Sequence, residues 1–580
     1  MLIKKTIENG AIIYLNSPFT KEEVQATINL MPTNKSPGPD GFSNEFYREF
    51  WTELHPIFTA MIDNFCRNRI LPQSMNLAYI SVLHKSGKDP LKCASYRPIS
   101  LLDHDYKIIN KLLAKRLEDI LPKLINPDQA GFIKGRYSAD NIRRLLNVIN
   151  HFDTGRNPSL LLALDAEKAY DRVEWNFLFA ILEKLNMGQN FLAWIKSIYN
   201  NPKAAVITNG TSSDFFVLRR GTRQGCPLSS SLFVIVVELL ASCIRDNNDI
   251  KGLKINNEEH KISLFADYII LYIKEPEQSL TYLYNEIQQF GKYSGYKINF
   301  NKSNACLLHM IPTQTMLDSY PFNWTPEGFK YLGISITPQL ENLYKENYCP
   351  LIEKIKNDLC KWSTLPLSLL GRIHVIKMNV LPRLNFMFQM LPCYLSTDFF
   401  NALNRQISKF IWCNKMHRIK LLTLMKPESM GGLGLPNFQY YFWSAQLRNV
   451  VTWSLGRQDS QWIKMEAKLV DPLPLDSLIF IKQFNKIKDI SDCFTIVNTL
   501  RAWKDSSELR TEYGIPNTDF FRYLQMRNVI QSLRRENMLR SDLYEIEEIL
   551  MLSTTIKGKI SELYNIFYKD CQSFIVRRPH

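Results

Sequence analysis

The strongest hydrophobic pattern in the chain is Ile262-Ser263-Leu264-Phe265-Ala266-Asp267-Tyr268-Ile269-Ile270-Leu271-Tyr272. Two apolar runs flank a break that carries one carboxylate. Each run is too short for a helix and rich in branched and aromatic residues, which predicts two strands of a hairpin with Asp267 at the tip. A carboxylate beside sequence that favours a dry environment is costly unless a cation or a donor meets it. An ordinary turn aspartate has the same look. The run Leu160-Leu161-Leu162-Ala163-Leu164 ends on Asp165 in a similar way and reads as a buried strand delivering an acid to an edge or cleft. Two strands that each end in Asp suit a pair of metal ions, which sit about 3.5–4 Å apart and share hard oxygen ligands. That Asp165 and Asp267 meet is an expectation here.

Elsewhere the period is mostly helical. Thr20-Lys21-Glu22-Glu23 is a capping box, followed by Val24, Ile28 and Met31 on one face and stopped by Pro32. Residues 35–42 form a turn-rich loop, and a further helix runs through Phe46, Tyr47, Phe50 and Trp51. Residues 80–83 and 96–102 predict a hairpin bracketed by Lys85 and Arg97. Those cations either hold a phosphate, Arg97 by its fork and Lys85 as a point charge, or are solvated. Spacing alone leans to the second. Residues 107–121 are amphipathic and end at Pro122. A glycine-punctuated loop spans 128–136, and 141–149 return to helix. Residues 214–220 read as a strand leading into Gly221-Thr222-Arg223-Gln224-Gly225, where two glycines let backbone approach a ligand; a plain helix entry looks alike. Residues 291–303 are a turn with lysines, 329–336 a short strand, and 431–436 a hinge or linker. Residues 520–549 predict an amphipathic helix exposing Arg534 and Arg535.

Composition changes the picture in one direction. Across 580 residues the chain carries a net charge of +15, a pI near 9.1 and 12% aromatic residues, which together suit contact with nucleic-acid backbone and bases. An ordinary basic soluble protein has these values too. Residues 345–420 hold 12 Lys and Arg against 4 Asp and Glu, over half of the net charge, and read as a phosphate-tracking face whose aromatics, Trp362, Phe386, Phe388 and Trp412, belong mostly to the core. The 11 cysteines include no C-x-x-C pair, so neither a disulfide framework nor a closed zinc site is encoded. Cys413 and His417 have ligand-like spacing but no second pair, and read as structural. The N-terminus lacks a signal-peptide pattern, and the apolar stretch 232–244 is broken by Glu238 and too short to span a bilayer. The expectation is an intracellular protein with no membrane partner, its compartment (cytoplasm or nucleus) undetermined.

The blocks KSPGPDGF, SYRPISLL, QAGFIKGR, ALDAEKAYDRV, GTRQGCPLS, LFADY, SGYKINFNKS and KYLGISIT occur in this order, followed by GRIHVIKMNVLPRL and GGLGLPNF. In order and content they resemble the reverse transcriptase region of LINE-type, non-LTR retrotransposon polyproteins. The match is clear over residues 17–438 and weaker as far as 521–525. The resemblance implies an α+β, right-hand polymerase fold: an N-terminal extension and fingers over 1–158, a palm with an antiparallel sheet over 159–344, a helical thumb over 345–430 and a helical C-terminal region over 431–580. It implies that Asp165 and Asp267 bind two Mg2+ ions. Tyr170 looks like the gate against a ribose 2′-hydroxyl. Lys85 and Arg97 match residues that grip the incoming triphosphate, Gln224 and Gly225 fall in the block lining the nucleotide pocket, and Lys302 matches a lysine that assists the departing pyrophosphate. Implied partners are an RNA template, a DNA primer and deoxynucleoside triphosphates.

The chain departs from the family motif at one decisive place. Where the family has LFADD, Tyr268 replaces the second acid, removing a negative charge beside the expected dications and adding bulk. Loss of such a group commonly costs on the order of a hundredfold or more in rate. Glu167 or Asp171 is the nearby acid that could partly compensate, though neither has the expected place in the motif. Ser230 stands where the family has proline. No endonuclease region precedes the fingers and no Cys/His knuckle follows, with only Cys493 and Cys571 beyond Leu435, so the sequence reads as a truncated relic or partial reading frame. The expectation is a reverse transcriptase domain with weakened or lost polymerisation, or an inactive RNA-binding remnant.

Overall fold

The structure, a computed structural model, describes residues 7–155, 158–255, 258–455, 460–471, 473–480 and 491–507. Arg534, Arg535, Cys571 and the expectations over 520–549 lie outside the described residues. The fold is α+β and divides into two compact units. The first comprises 1–137, 158–253 and 259–324; the second comprises 138–157, 254–258 and 325–580.

Two sheets organise the first unit. In one, Leu77–His84 pairs antiparallel with Tyr96–Leu102, with Leu83 opposite Arg97, and parallel with Lys203–Thr208. The expected 80–83/96–102 hairpin is therefore present. The 214–220 strand reduces to Phe216–Val217, because the flanking residues are exposed and find little ladder partner. The other sheet has the order Asn323–Trp324, Asn304–Leu308, Ser159–Leu164, Tyr268–Lys274, Ile262–Phe265. Ser159–Leu164 lies at its centre, antiparallel to both neighbours, with Leu162 opposite both Leu271 and Ala305. A strand covered on both faces has no need to alternate, which is why it reads as an unbroken apolar run.

Helices bury these sheets. His104–Leu124 inserts Ile108, Ile109, Leu112, Leu113, Leu117 and Leu121 into the core. It runs past Pro122, which sits in its last turn, where a missing N–H costs one hydrogen bond instead of a helix. Ser229–Asp246 is buried nearly all round, so the 232–244 stretch is a core helix; no described helix is long and apolar enough to cross a membrane. At Thr20 the hydroxyl accepts the Glu23 N–H as the capping box requires, while the Glu23 carboxylate goes to buried Arg116 at 2.7 Å. The helix through Phe46 and Trp51 is two helices, Asn44–Glu49 and Trp51–Asn68, divided at Phe50.

The second unit is mainly helical. Ser138–Gly155 belongs to it, joined to Gln461–Leu469 and Phe494–Asp505 by a buried network. Arg143 meets Glu466 at 2.7 Å, and Asn147, Trp453 and Thr495 also bond that carboxylate. The expected strand at 329–336 is a hairpin, Phe329–Tyr331 with Ile334–Ile336, whose two loop residues, Leu332 and Gly333, both have positive φ. The expected hinge at 431–436 is a fixed turn: Gly434 N–H reaches Lys426 O at 2.8 Å, and a Cβ on Gly432 would lie 1.9 Å from the same carbonyl.

Candidate active site

Asp165 follows the central strand of the second sheet, and Asp267 occupies the two-residue loop between Ile262–Phe265 and Tyr268–Lys274. The loop has positive φ at Ala266 only (+56°), the pattern of a II′ turn, where glycine is the usual residue. Alanine is held in this strained conformation by a neighbouring loop. Gln129, 1% exposed, accepts through Oε1 from the Ala266 N–H at 2.9 Å and the Gly131 N–H at 2.8 Å. Leu264 exchanges backbone bonds with Asp128 and Ala130. A Cβ on Gly131 would lie 2.3 Å from the Ala266 nitrogen, so only glycine permits this approach.

The last recorded pair between the two strands is Ile269 with Leu164, so one further step sets Tyr268 level with Asp165, on the same face of the sheet. Asp165 is fixed from the other side. Its N–H donates to Ser303 Oγ at 3.1 Å and its carbonyl accepts the Asn299 N–H at 2.9 Å. Lys302, between those two, puts Nζ 3.9 Å from the Asp165 carboxylate. Burial pushes the Asp165 carboxyl up from its ordinary value, against the pull of Lys302. Burial also raises Asp267, and the charge of Asp165 adds to it. The charge of Asp165 thus opposes ionisation of Asp267, and a cation beside both would favour their charged forms. Tyr268, 44% exposed, has its phenol raised by burial and by Asp267 and Asp165, while Arg97 acts in the opposite sense.

Cations converge from the first sheet. Lys85 is lowered by burial and by the fields of Lys302, Arg97, Lys168 and Lys88, so cations from several segments act on it. Tyr170 stacks on Phe233 with ring centroids 4.4 Å apart, and its phenol is raised by burial and by Asp267 but eased by a hydrogen bond with Ser230. The Gly221–Gly225 loop ties the sheets together. Thr222 N–H donates to Tyr170 O at 2.7 Å, and Gln224 O accepts the Ser100 N–H at 2.8 Å. Gly225 has φ +112°, and a Cβ there would lie 2.6 Å from Ser100 O. Lys85, Arg97, Asp165, Tyr170, Gln224, Gly225, Asp267, Tyr268 and Lys302 therefore all lie in the first unit, on segments that meet one another.

Glu167 is committed elsewhere. Arg172 and Lys297 hold it at 2.9 and 3.3 Å and keep its carboxyl below the usual range. Asp171 is half-buried, raised by its burial. Sequence reasoning missed Gln129, Ser303 and Lys168, although each stands in or beside a quoted block. It also missed the one cluster of three acids among the described residues, Asp40, Asp103 and Asp105. There Asp103 is pushed up to about 7 and Asp105 to about 6, both chiefly by burial. The SPGPDG loop supplies Asp40, and the residues after SYRPISLL supply the other two. A Cβ on Gly38 would lie 2.2 Å from the Asp103 carboxylate.

Residues 83–336 match the reverse transcriptase (RNA-dependent DNA polymerase) family. The chain is 28% identical over 507 residues to the transposon TX1 uncharacterized 149 kDa protein of Xenopus laevis, covering 86% of this chain and 38% of that protein. To the Pol polyprotein of the type-2 retrotransposable element R2DM of Drosophila melanogaster it is 25% identical over 452 residues, covering 75% and 40%. It thus spans about two-fifths of the length of these relatives. Among solved structures, telomerase from Candida tropicalis in complex with a telomeric RNA fragment aligns over 73% of this chain and 68% of that one, at 12% identity and a TM-score of 0.36. Family match and relatives agree on one conclusion: the chain carries a reverse transcriptase-family domain of the LINE, non-LTR retrotransposon type.

Proposed function

We propose that the first unit is the catalytic core of an RNA-directed DNA polymerase that extends a DNA primer on an RNA template, and that Tyr268 has weakened or abolished its activity. The carrying observation is that the ends of two adjacent strands bring Asp165 close enough to Asp267 for its charge to raise the Asp267 carboxyl, with Lys302 beside Asp165. Two half-buried carboxylates, the charge of one raising the other, are a hard-oxygen donor set that suits magnesium. Asp165 and Asp267 would hold the ions, which supply acidification of the primer 3′-hydroxyl and neutralisation of the departing pyrophosphate.

The remaining roles belong to the chain itself. Lys85, Arg97 and Lys168 grip the incoming triphosphate, and Lys302 neutralises charge on its departing side. The Tyr170 ring, backed by Phe233, stands against a ribose 2′-hydroxyl. Gln224 and Gly225 line the nucleotide pocket with backbone brought close by the glycine. In this reading the fingers cover 1–158, the palm 159–344 and the thumb 345–430. Tyr268, level with Asp165, supplies bulk where a third carboxylate would complete the site, and Glu167 is already bound to Arg172 and Lys297. These two observations favour the second reading, a catalytically silent RNA-binding remnant, for the chain as it stands.

Metal placement can be tested without turnover. With an RNA–DNA primer-template bound, Fe2+ and ascorbate should cut the backbone near residues 165 and 267, and Asp165→Asn should abolish both cuts. Cuts that survive that substitution, or none in the wild type, would contradict the site.

A further inference from the structure

A groove of about 570 Å3 opens on the second unit, between the helix Thr397–Ile411 and the segment that follows it. The helix is sharply two-sided. Phe400, Leu403, Ile407 and Phe410 are buried, while Asn401, Asn404, Arg405, Ser408 and Trp412 line the groove at helical spacing. Cys413 and Asn414 follow in the left-handed region, and Asn414 N–H closes on Lys409 O at 2.8 Å. That reversal returns His417 to the same groove.

The groove's chemistry is one-sided. Its lining includes no carboxylate. Residues 399–427 contain Arg405, Lys409, Lys415, Arg418, Lys420 and Lys426 and no Asp or Glu. Among the described residues one of the lining polar side chains is engaged, Arg405 Nε donating to Asn401 O at 3.3 Å. Among the described residues, the Asn401 and Asn404 amides, the Ser408 hydroxyl, the Trp412 indole N–H and the His417 imidazole serve no bond of the fold. A ligand for this surface is anionic, rich in acceptors, and carries a flat ring. A duplex offers phosphates but keeps its bases stacked, whereas an unpaired nucleotide can enter a concave site and stack on an aromatic face.

We propose that this groove holds an unpaired nucleotide of single-stranded RNA, its base on the Trp412 indole and its phosphate on Arg405, with Lys409, Lys415 and Lys420 beside the neighbouring phosphates. The choice of RNA rests on the proposed function; the single-strand site rests on the groove.

The test uses the full chain and a short RNA carrying 4-thiouridine. Photocrosslinks should map to peptides spanning residues 401–421. Trp412→Ala should weaken binding of this RNA by roughly tenfold or more, since stacking on one aromatic carries an effect of that order. The double variant Asn404→Ala/Arg405→Ala should weaken it similarly and lower the salt slope by about one. Trp412→Phe, which keeps a ring, should bind nearly as wild type, and Lys123→Ala, an exposed change in the first unit, should bind unchanged. If Trp412→Ala melts early, the double variant, at half-buried Asn404 and exposed Arg405, carries the test. Wild-type affinity in the double variant, or crosslinks confined elsewhere, would overturn the site. Full competition by a blunt RNA–DNA duplex would overturn the single-strand assignment. Equal binding of DNA of the same sequence would overturn the choice of RNA. Crosslinking that persists while Tyr268→Asp fails to extend a primer would sink the polymerase reading and leave this one standing.

Discussion

At the scale of single residues the site was half legible. Asp165 and Asp267 could be named because each closes an apolar run, a pattern that survives in one dimension. Gln129 and Ser303 could not, because their bonds to Ala266 and Asp165 cross 137 and 138 positions. Asp103 is hidden for the same reason; its partner, the Asp40 N–H, lies 63 positions away. It carries a pH prediction. Its folded carboxyl titrates near 7, well above the ordinary aspartate value, so the folded protein binds this proton more tightly than the unfolded chain does. Burying the charge therefore costs stability above pH 7, and the cost is relieved as pH falls toward 4. Asp103→Asn should raise the melting temperature at pH 8, with the gain shrinking toward pH 4.5. A gain that grows on acidification would contradict this assignment.

The element that matters most is the hairpin carrying Asp267, and it depends on a loop that is remote in sequence. Gly131 packs its backbone directly against Ala266. Gly131→Ala overpacks that contact and should cost about 1–3 kcal/mol of stability. In a catalytically competent background it should depress primer extension more than primer-template binding, because it displaces the turn that presents the carboxylate. A neutral Gly131→Ala would show that the approach is looser than the structure indicates. Elements set by local signals came through the sequence reading well: the capped helix at Thr20, the hairpin at Lys85 and Arg97, the buried helix at Ser229–Asp246. Those decided by tertiary contact did not. Pro122 failed to stop its helix, and the 431–436 glycines form a packed turn because Lys426 leaves no room for a Cβ.

At the scale of the molecule, the family blocks conveyed the fold class, but not that Ser138–Gly155 belongs to the second compact unit. Its attachment there runs through Arg143 and Glu466, both almost fully buried and far apart in sequence. Removing one partner strands the other charge, so Glu466→Ala should cost about 3–5 kcal/mol. The loss should appear as early melting of the chain in calorimetry, and an unshifted melt would contradict the network. The net charge of +15 makes a second prediction. Affinity for an RNA–DNA duplex should fall steeply and log-linearly with salt, roughly 0.9 in slope for each phosphate neutralised. A flat salt response would remove nucleic acid from the account, leaving a folded family remnant with no such partner.

Everything functional returns to Tyr268 standing beside two carboxylates. Primer extension on an RNA template, in magnesium and in manganese, compares the wild-type chain with Tyr268→Asp most directly. Little or no product is expected from the wild type, and an increase on the order of a hundredfold or more from the variant, lost again when Asp165→Asn is added. Robust synthesis by the wild type at the variant's rate would contradict the silencing role of Tyr268, and no synthesis by a folded, duplex-binding variant would contradict the active site itself.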